Sequence, residues 1–179
     1  FGQLGNVLPS QNPINLAENI AMVSQMLGGR VFAGFARGYQ PRWVNVLGQQ
    51  VGLSDPASGE DYEELKRSLF EEHFEIIQAA WSNDTFKFEG KHWQIPTKDI
   101  LWAAADVARA YGQGCNADGY IEEIGIAPPT YEKQIPDMFM PFATSERSIK
   151  WGMERGIVPV TIMTQYEVVK EHFRAGMEA

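Results

Sequence analysis

The stretch Val7-Leu8-Pro9-Ser10-Gln11-Asn12-Pro13-Ile14-Asn15-Leu16-Ala17-Glu18, continued by Gln25-Met26-Leu27-Gly28-Gly29-Arg30 and Gly34-Phe35-Ala36-Arg37-Gly38-Tyr39, decides the fold. Phe1 to Leu8 reads as a short strand stopped at Pro9, and Ser10-Gln11-Asn12-Pro13 has the composition of a turn. Leu16, Ile20, Val23 and Leu27 then fall at i, i+4, i+7 and i+11, which places them on one face of a helix. Gly28-Gly29 ends that helix. Val31 to Ala36 is an apolar strand, and Arg37-Gly38 follows it. The unit is strand, helix, strand.

The same alternation returns further along. Residues 40 to 60 read as a long loop rich in Gly, Pro, Asn and Gln. A helix is expected from about Tyr62 to Trp81. Its apolar face carries Leu69, Phe70, His73, Phe74, Ile76, Ile77, Ala80 and Trp81, and its wet side carries Glu63, Glu64, Lys66, Glu71, Glu72 and Glu75. Phe86 to Ile95 alternates around Glu89-Gly90 as a hairpin. Residues 97 to 123 read as an insertion, with a short helix over Leu101 to Tyr111. Met138 to Phe142 is a strand, Glu146 to Arg155 a helix, Val158 to Met163 a strand and Tyr166 to Arg174 a helix. Four strand–helix units in a row are the signature of a parallel α/β sheet. A closed (β/α)8 barrel needs eight units and about 250 residues, so 179 residues make either a small open sheet or part of a barrel.

Composition narrows the function. Lys and Arg number 15 against 23 Asp and Glu, a formal charge of −8. That balance argues against nucleic acid and against an anionic membrane surface as partners. A local basic pocket for an anionic cofactor is still compatible with it. No apolar run approaches the roughly 20 residues of a membrane span. The single cysteine, Cys115, forms no intrachain disulfide, which fits a reducing cytoplasm. None of the three histidines has metal-ligand spacing, and His73 reads as a core residue. Glycine-rich nucleotide loops and the Gly-x-Ser-x-Gly elbow are absent from the sequence.

The quoted stretch resembles the signature of the bacterial-luciferase-like flavin-dependent monooxygenases. That signature is a strand ending in Leu-Pro, a turn ending in Pro, a helix opening with Ala-Glu, a Gly-Arg entry to the next strand and Gly-x-x-Arg-Gly at its exit. Arg67-Ser68-Leu69-Phe70-Glu71 resembles the family's Arg-x-x-x-Glu helix. Trp81 with Phe88-Glu89-Gly90-Lys91 resembles its Trp…Glu-Gly-Lys segment. Ala143 to Trp151 resembles its phosphate-holding turn. The resemblance covers most of residues 1 to 95 and 125 to 165. It implies an α/β fold of the luciferase-like (β/α)8 (TIM) barrel type, residues 1–179 forming about the middle half of one such domain. Two departures stand out: Asn12 where a His is common, and Thr144 where an acidic residue occurs. The family's first two strands, which carry its proposed catalytic His, are not in this sequence, nor are the closing ones.

The resemblance also implies a site. Arg37, Gly38 and Arg67 would face the phosphate of FMN, together with Ala143, Thr144, Ser145 and Ser148 at a strand-to-helix turn. Read from the residues alone, Ser145 is a helix cap, Arg37 a partner for one of many glutamates, and Arg67 an i, i+4 partner of Glu71. Leu4, Gly5 and Asn6 would pack a strand end against the flavin ring, and Tyr39 would cover its edge or pack in a loop. The implied activity is oxidation of a small organic substrate by reduced FMN and O₂, with a separate flavin reductase as partner and a homodimer as the assembly. Alternatives are the deazaflavin F420 in the same barrel, or a non-catalytic flavin-binding or structural relative.

Overall fold

The computed structural model describes residues 1–53, 60–102 and 105–179. Four parallel strands form one sheet in the order β1-β2-β5-β6: β1 Gly2–Val7, β2 Phe32–Ala36, β5 Asp137–Pro141 and β6 Ile157–Val160. Helices α1 (Pro13–Met26), α3 (Glu60–Ser82), α5 (Glu146–Met153) and α6 (Tyr166–Met177) connect or follow them. β3 (Phe88–Glu89) and β4 (Gln94–Ile95) make a separate small hairpin. No helix among the described residues is long and apolar enough to cross a membrane.

The local signals act as the residues require. Asn12 caps α1, its Oδ1 accepting from the amides of Ile14 and Asn15 at 3.0 and 3.1 Å. Pro13 sits in the first turn, where its missing N–H is not needed. Gly28 and Gly29 leave the helix at φ of +58° and +77°. On β2, Phe35 meets Phe74 of α3 edge-on at 5.7 Å. Three residues earlier on the same strand, and so on the opposite face, Phe32 meets Phe139 of β5 at 5.3 Å. β2 therefore contributes to packing on both faces of the sheet, as parallel strands do.

β1 carries one extra residue against β2, because Gln3 pairs with Ala33 while Asn6 pairs with Phe35. This bulge drives the Leu4 carbonyl toward Gly34. A Cβ on Gly34 would stand 1.8 Å from that oxygen, so only glycine fits. Asn6 is buried, and its Nδ2 donates to the Gly34 carbonyl at 3.0 Å, which ties the bulge down.

Several expectations need correction. The loop over 40–60 contains a helix, α2 (Pro41–Leu47), and a 3-10 turn at Gln49–Val51; its residues 54–59 lie outside the described ones. The last strand ends at Val160, before the expected Met163. The helix read over Leu101–Tyr111 is α4 (Ala105–Tyr111), with 103–104 outside the described residues. Phe86 bridges Ile124 instead of closing the hairpin.

The wet face of α3 also changes, since Lys66 and Glu72 are buried. Lys66 donates to Glu63 at 2.6 Å and lies over the Tyr62 ring. The Glu72 carboxylate accepts from the amides of Lys91, His92 and Trp93 at 2.7–3.1 Å. Charge periodicity cannot anticipate this, because the partner is a turn about 20 residues away. The turn closes over the carboxylate so tightly that a Cβ on Gly90 would stand 2.4 Å from Glu72 Oε1. This accounts physically for the glycine of the Glu-Gly-Lys segment.

His73 is fully buried on α3. Its Nδ1 lies 2.8 Å from the Leu8 carbonyl, and its Nε2 lies 2.8 Å from the Trp93 indole N–H. A carbonyl only accepts and an indole only donates, so the ring is neutral with its proton on Nδ1. Burial pushes His73 below its ordinary value of 6.5, against the opposing pull of the Leu8 carbonyl and Glu72. His92 shifts the same way, also chiefly through burial.

Two outcomes follow for stability. Below about pH 6.5 the unfolded chain takes up protons that folded His73 resists. Stability is therefore complete above that pH and is lost as pH falls through the window beneath it. The melting temperature should drop between pH 6.5 and 5, and His73→Gln should flatten that slope; an unchanged slope would exclude His73 as its source. Gly90→Ala should destabilise the fold by about 1–3 kcal/mol, read as a shift in the denaturation midpoint.

Candidate functional site

In a parallel α/β sheet the C-terminal strand ends gather the loops that carry function. At the ends of β1, β2 and β5 lies a cavity of about 460 Å³, within the range of small-molecule pockets. β1 supplies Gly5 and Val7, and the exit of β2 supplies Arg37, Gly38 and Tyr39. The exit of β5 supplies Phe142, Ala143, Thr144 and Ser145. Ser148 and Trp151 come from α5, Arg67, Phe70 and Glu71 from α3, and Trp43 and Val44 from α2. A second hollow of about 670 Å³, beside the hairpin, is lined by both signs of charge, including Lys87, Lys98, Asp99 and Glu122, and converges on nothing.

Nine of the residues singled out from the sequence meet in this one cavity: Gly5, Arg37, Gly38, Tyr39, Arg67, Ala143, Thr144, Ser145 and Ser148. They come from positions as far apart as 5 and 148. The structure does not bring Leu4 and Asn6 to it. Leu4 is partly exposed on the bulge, and the Asn6 side chain is spent on Gly34.

The charges converge without being matched. Arg37 Nη1 is buried and has no hydrogen-bond partner among the described residues, while its Nη2 reaches Glu63 only at 3.8 Å. Arg67 is paired loosely with Glu64 at 3.9 Å, and not with Glu71 as the helical spacing suggested. Burial, then the nearby guanidiniums of Arg37 and Arg147, holds Arg67 below its ordinary value. Arg147, in the first turn of α5, lies within the Ala143–Trp151 stretch but was not singled out from the sequence as a site residue. An unpaired buried donor among like charges is costly until an anion arrives.

The floor of the site is a helix N-terminus. Ser145 caps α5, its Oγ accepting from the Ser148 amide at 3.3 Å and donating to Ser148 Oγ at 2.8 Å. The capping role read from the residues is therefore real. A cap of this kind leaves room for an anion, because the first amides of a helix lack partners within the helix. The walls are apolar. Trp151 packs against Phe70 and Phe74 with ring centroids at 5.3 Å, and Trp43 stands half exposed at the rim. Dispersed tryptophans gave no warning that two of them would line one cavity.

Comparison with known proteins bears on the family and the fold. The model of the luciferase-like monooxygenase family matches residues 5–175. The 3,6-diketocamphane 1,6-monooxygenase of Pseudomonas putida is 25% identical over 181 residues, which is 100% of this chain and 44% of that protein. The 2,5-diketocamphane 1,2-monooxygenase 1 of the same organism is 25% identical over 176 residues, 97% of this chain and 41% of that one. Among solved structures, the oxygenating constituent of 3,6-diketocamphane monooxygenase from Pseudomonas putida, a type II Baeyer–Villiger monooxygenase in complex with FMN, superposes with a TM-score of 0.68. Identity there is 22%, over 99% of this chain and 42% of that one. Monooxygenase RslO1 from Streptomyces bottropensis superposes with a TM-score of 0.70 at 14% identity, over 99% and 43%. The chain thus spans less than half the length of these relatives, and its four parallel strands with their helices are part of a luciferase-like (β/α)8 barrel. By its match to the family model over nearly all its residues, the chain belongs to the luciferase-like monooxygenase family.

Proposed function

We propose that residues 1–179 belong to one barrel domain that holds FMN for a monooxygenase reaction on a small organic substrate. The observation that carries this reading is the buried Nη1 of Arg37, without a partner among the described residues and set beside Arg67 in the cavity above the capped end of α5. A phosphate dianion answers that arrangement. Arginine presents planar forks to phosphate oxygens, the serine hydroxyls donate to them, and the opening turn of α5 adds amides and a favourable dipole. Val7, Phe70, Met140 and Trp151 supply apolar wall that keeps water from a bound ring. Bound in its reduced form, FMN would supply two electrons to O₂, so that one oxygen atom enters the substrate and the other leaves as water. The chain's own part is to hold, orient and desolvate. A separate flavin reductase would supply reduced FMN. The solved relative in complex with FMN favours FMN over F420, and the relatives named for diketocamphanes favour an organic ketone as substrate.

Titration with oxidised FMN, followed by flavin absorbance and fluorescence, tests the reading. Arg37→Ala and Arg67→Ala should each weaken FMN about tenfold or more, the worth of a charge-assisted contact, while riboflavin binding stays unchanged. FMN affinity should also fall as pH drops below about 6, where the phosphate loses its second charge. Equal loss of riboflavin and FMN would overturn the phosphate assignment, and tighter uptake of F420 than FMN would overturn the choice of cofactor.

A further inference from the structure

The turn over residues 90–93, between β3 and β4, is held on α3 by three side chains. Glu72 accepts its amides, Ser68 Oγ lies 2.8 Å from His92 Nε2, and His73 Nε2 accepts the Trp93 indole N–H at 2.8 Å. The base of the hairpin is anchored separately, because Ile95 is buried and Phe88 packs against the core. The turn is thus free to lift while the strands below it stay in place.

The two histidine tethers answer a proton differently. Ser68 Oγ donates to the Leu65 carbonyl at 3.1 Å, so its lone pairs receive the Nε2–H of His92. A charged His92 keeps that N–H, and the contact survives. His73 has no such freedom. Its Nδ1 proton is committed to the Leu8 carbonyl, so a second proton must go to Nε2. There it meets the indole N–H of Trp93, which cannot accept it. His73 is 1% exposed, and a buried cation with no acceptor is costly. Swinging the Trp93 ring away lets water reach Nε2.

The charged and titratable groups that face His73 are few. Its own helix offers Glu72 and the turn offers His92, with Lys91 beside it. The exit of β1 offers only the Leu8 carbonyl. Burial opposes a charge on His73 more strongly than Leu8 and Glu72 favour it.

We propose that His73 and Trp93 form a proton-operated latch: a proton on His73 Nε2 releases the turn over residues 90–93 from α3 while the sheet and helices stay folded. The latch is closed above about pH 6.5 and opens as pH falls through the window beneath that value. Ser68, Glu72 and His73 alternate along α3 with Arg67, Phe70 and Glu71 of the cavity wall. The latch therefore grips the stretch of helix that also supplies that wall.

Hydrogen exchange of the Lys91, His92 and Trp93 amides in the full chain, corrected for the intrinsic pH dependence of exchange, tests this between pH 7 and 5. Their protection should fall by up to about tenfold per pH unit below pH 6.5, the worth of one proton taken up on opening. The loss should be insensitive to low denaturant, because a local opening exposes little surface. His73→Gln removes the titrating ring and should abolish the pH dependence. Trp93→Phe removes the indole N–H and should lower protection of the Lys91 and His92 amides already at pH 7. Protection that stays constant with pH in the unaltered protein overturns the latch. A pH dependence that persists in His73→Gln does so too, by moving the trigger to Glu72 or His92. Unchanged protection in Trp93→Phe shows that the turn is not held through Trp93, and also overturns it. Denaturant sensitivity equal to that of the β2 amides has the same force, because the turn then opens only with the whole fold.

Discussion

His73 stands where three segments of chain meet, and it can serve all three only as a neutral imidazole. It projects from α3, gives its Nδ1 proton to the Leu8 carbonyl at the exit of β1, and receives the indole N–H of Trp93 from the hairpin turn. Two turns of wall follow from that placement. Glu72, the next residue on α3, accepts three amides from the same hairpin turn, and Phe74 packs against Phe35 of β2. With α3 fixed against both sheet and hairpin, Arg67, Phe70 and Glu71 are carried to the open ends of the strands. The cavity wall is thus a consequence of helix registration, and a slip of one residue would rotate those side chains by about 100°.

The second organising feature is electrical. A chain of net charge −8 concentrates Arg37, Arg67 and Arg147 around one helix N-terminus. Elsewhere several cations pair with carboxylates at closer range, as Lys150 does with Glu146 and Glu178, or Lys133 with Asp84. At the cavity the carboxylates stand off at 3.8 and 3.9 Å. Guanidiniums held close together without matched carboxylates repel one another, a cost that an anion set among them would relieve. The acidic remainder of the surface lets this pocket be basic without making the protein a general polyanion binder.

Legibility differed with the range of the interaction. The capped turn at Asn12-Pro13, the Gly28-Gly29 stop and the core stripe of α3 are local, and periodicity with cap chemistry reveals them. Arg37, Ser145 and Ser148 were legible as candidates because strand-exit motifs keep their spacing along the chain. Glu72 and Lys66 were misplaced on a wet face, since nothing within a few residues shows that a hairpin will close over one and Tyr62 and Glu63 will engage the other. Asn6 shows the same limit: it lies beside the cavity in sequence terms, yet a one-residue bulge turns its amide onto Gly34.

By itself, then, the sequence determined the alternation of strands and helices, the parallel α/β class, the family and most of the residues that line the cavity. These depend on turn chemistry, periodicity and motif spacing, all written within short windows. Only the tertiary structure decided that residues 5, 37, 67 and 145 share one cavity, that Arg37 holds a buried donor with no partner among the described residues, and that Tyr39 and Phe142 meet at its mouth. Those facts depend on strand order, bulge and helix registration, and such long-range packing has no signature along the chain until the chain is folded.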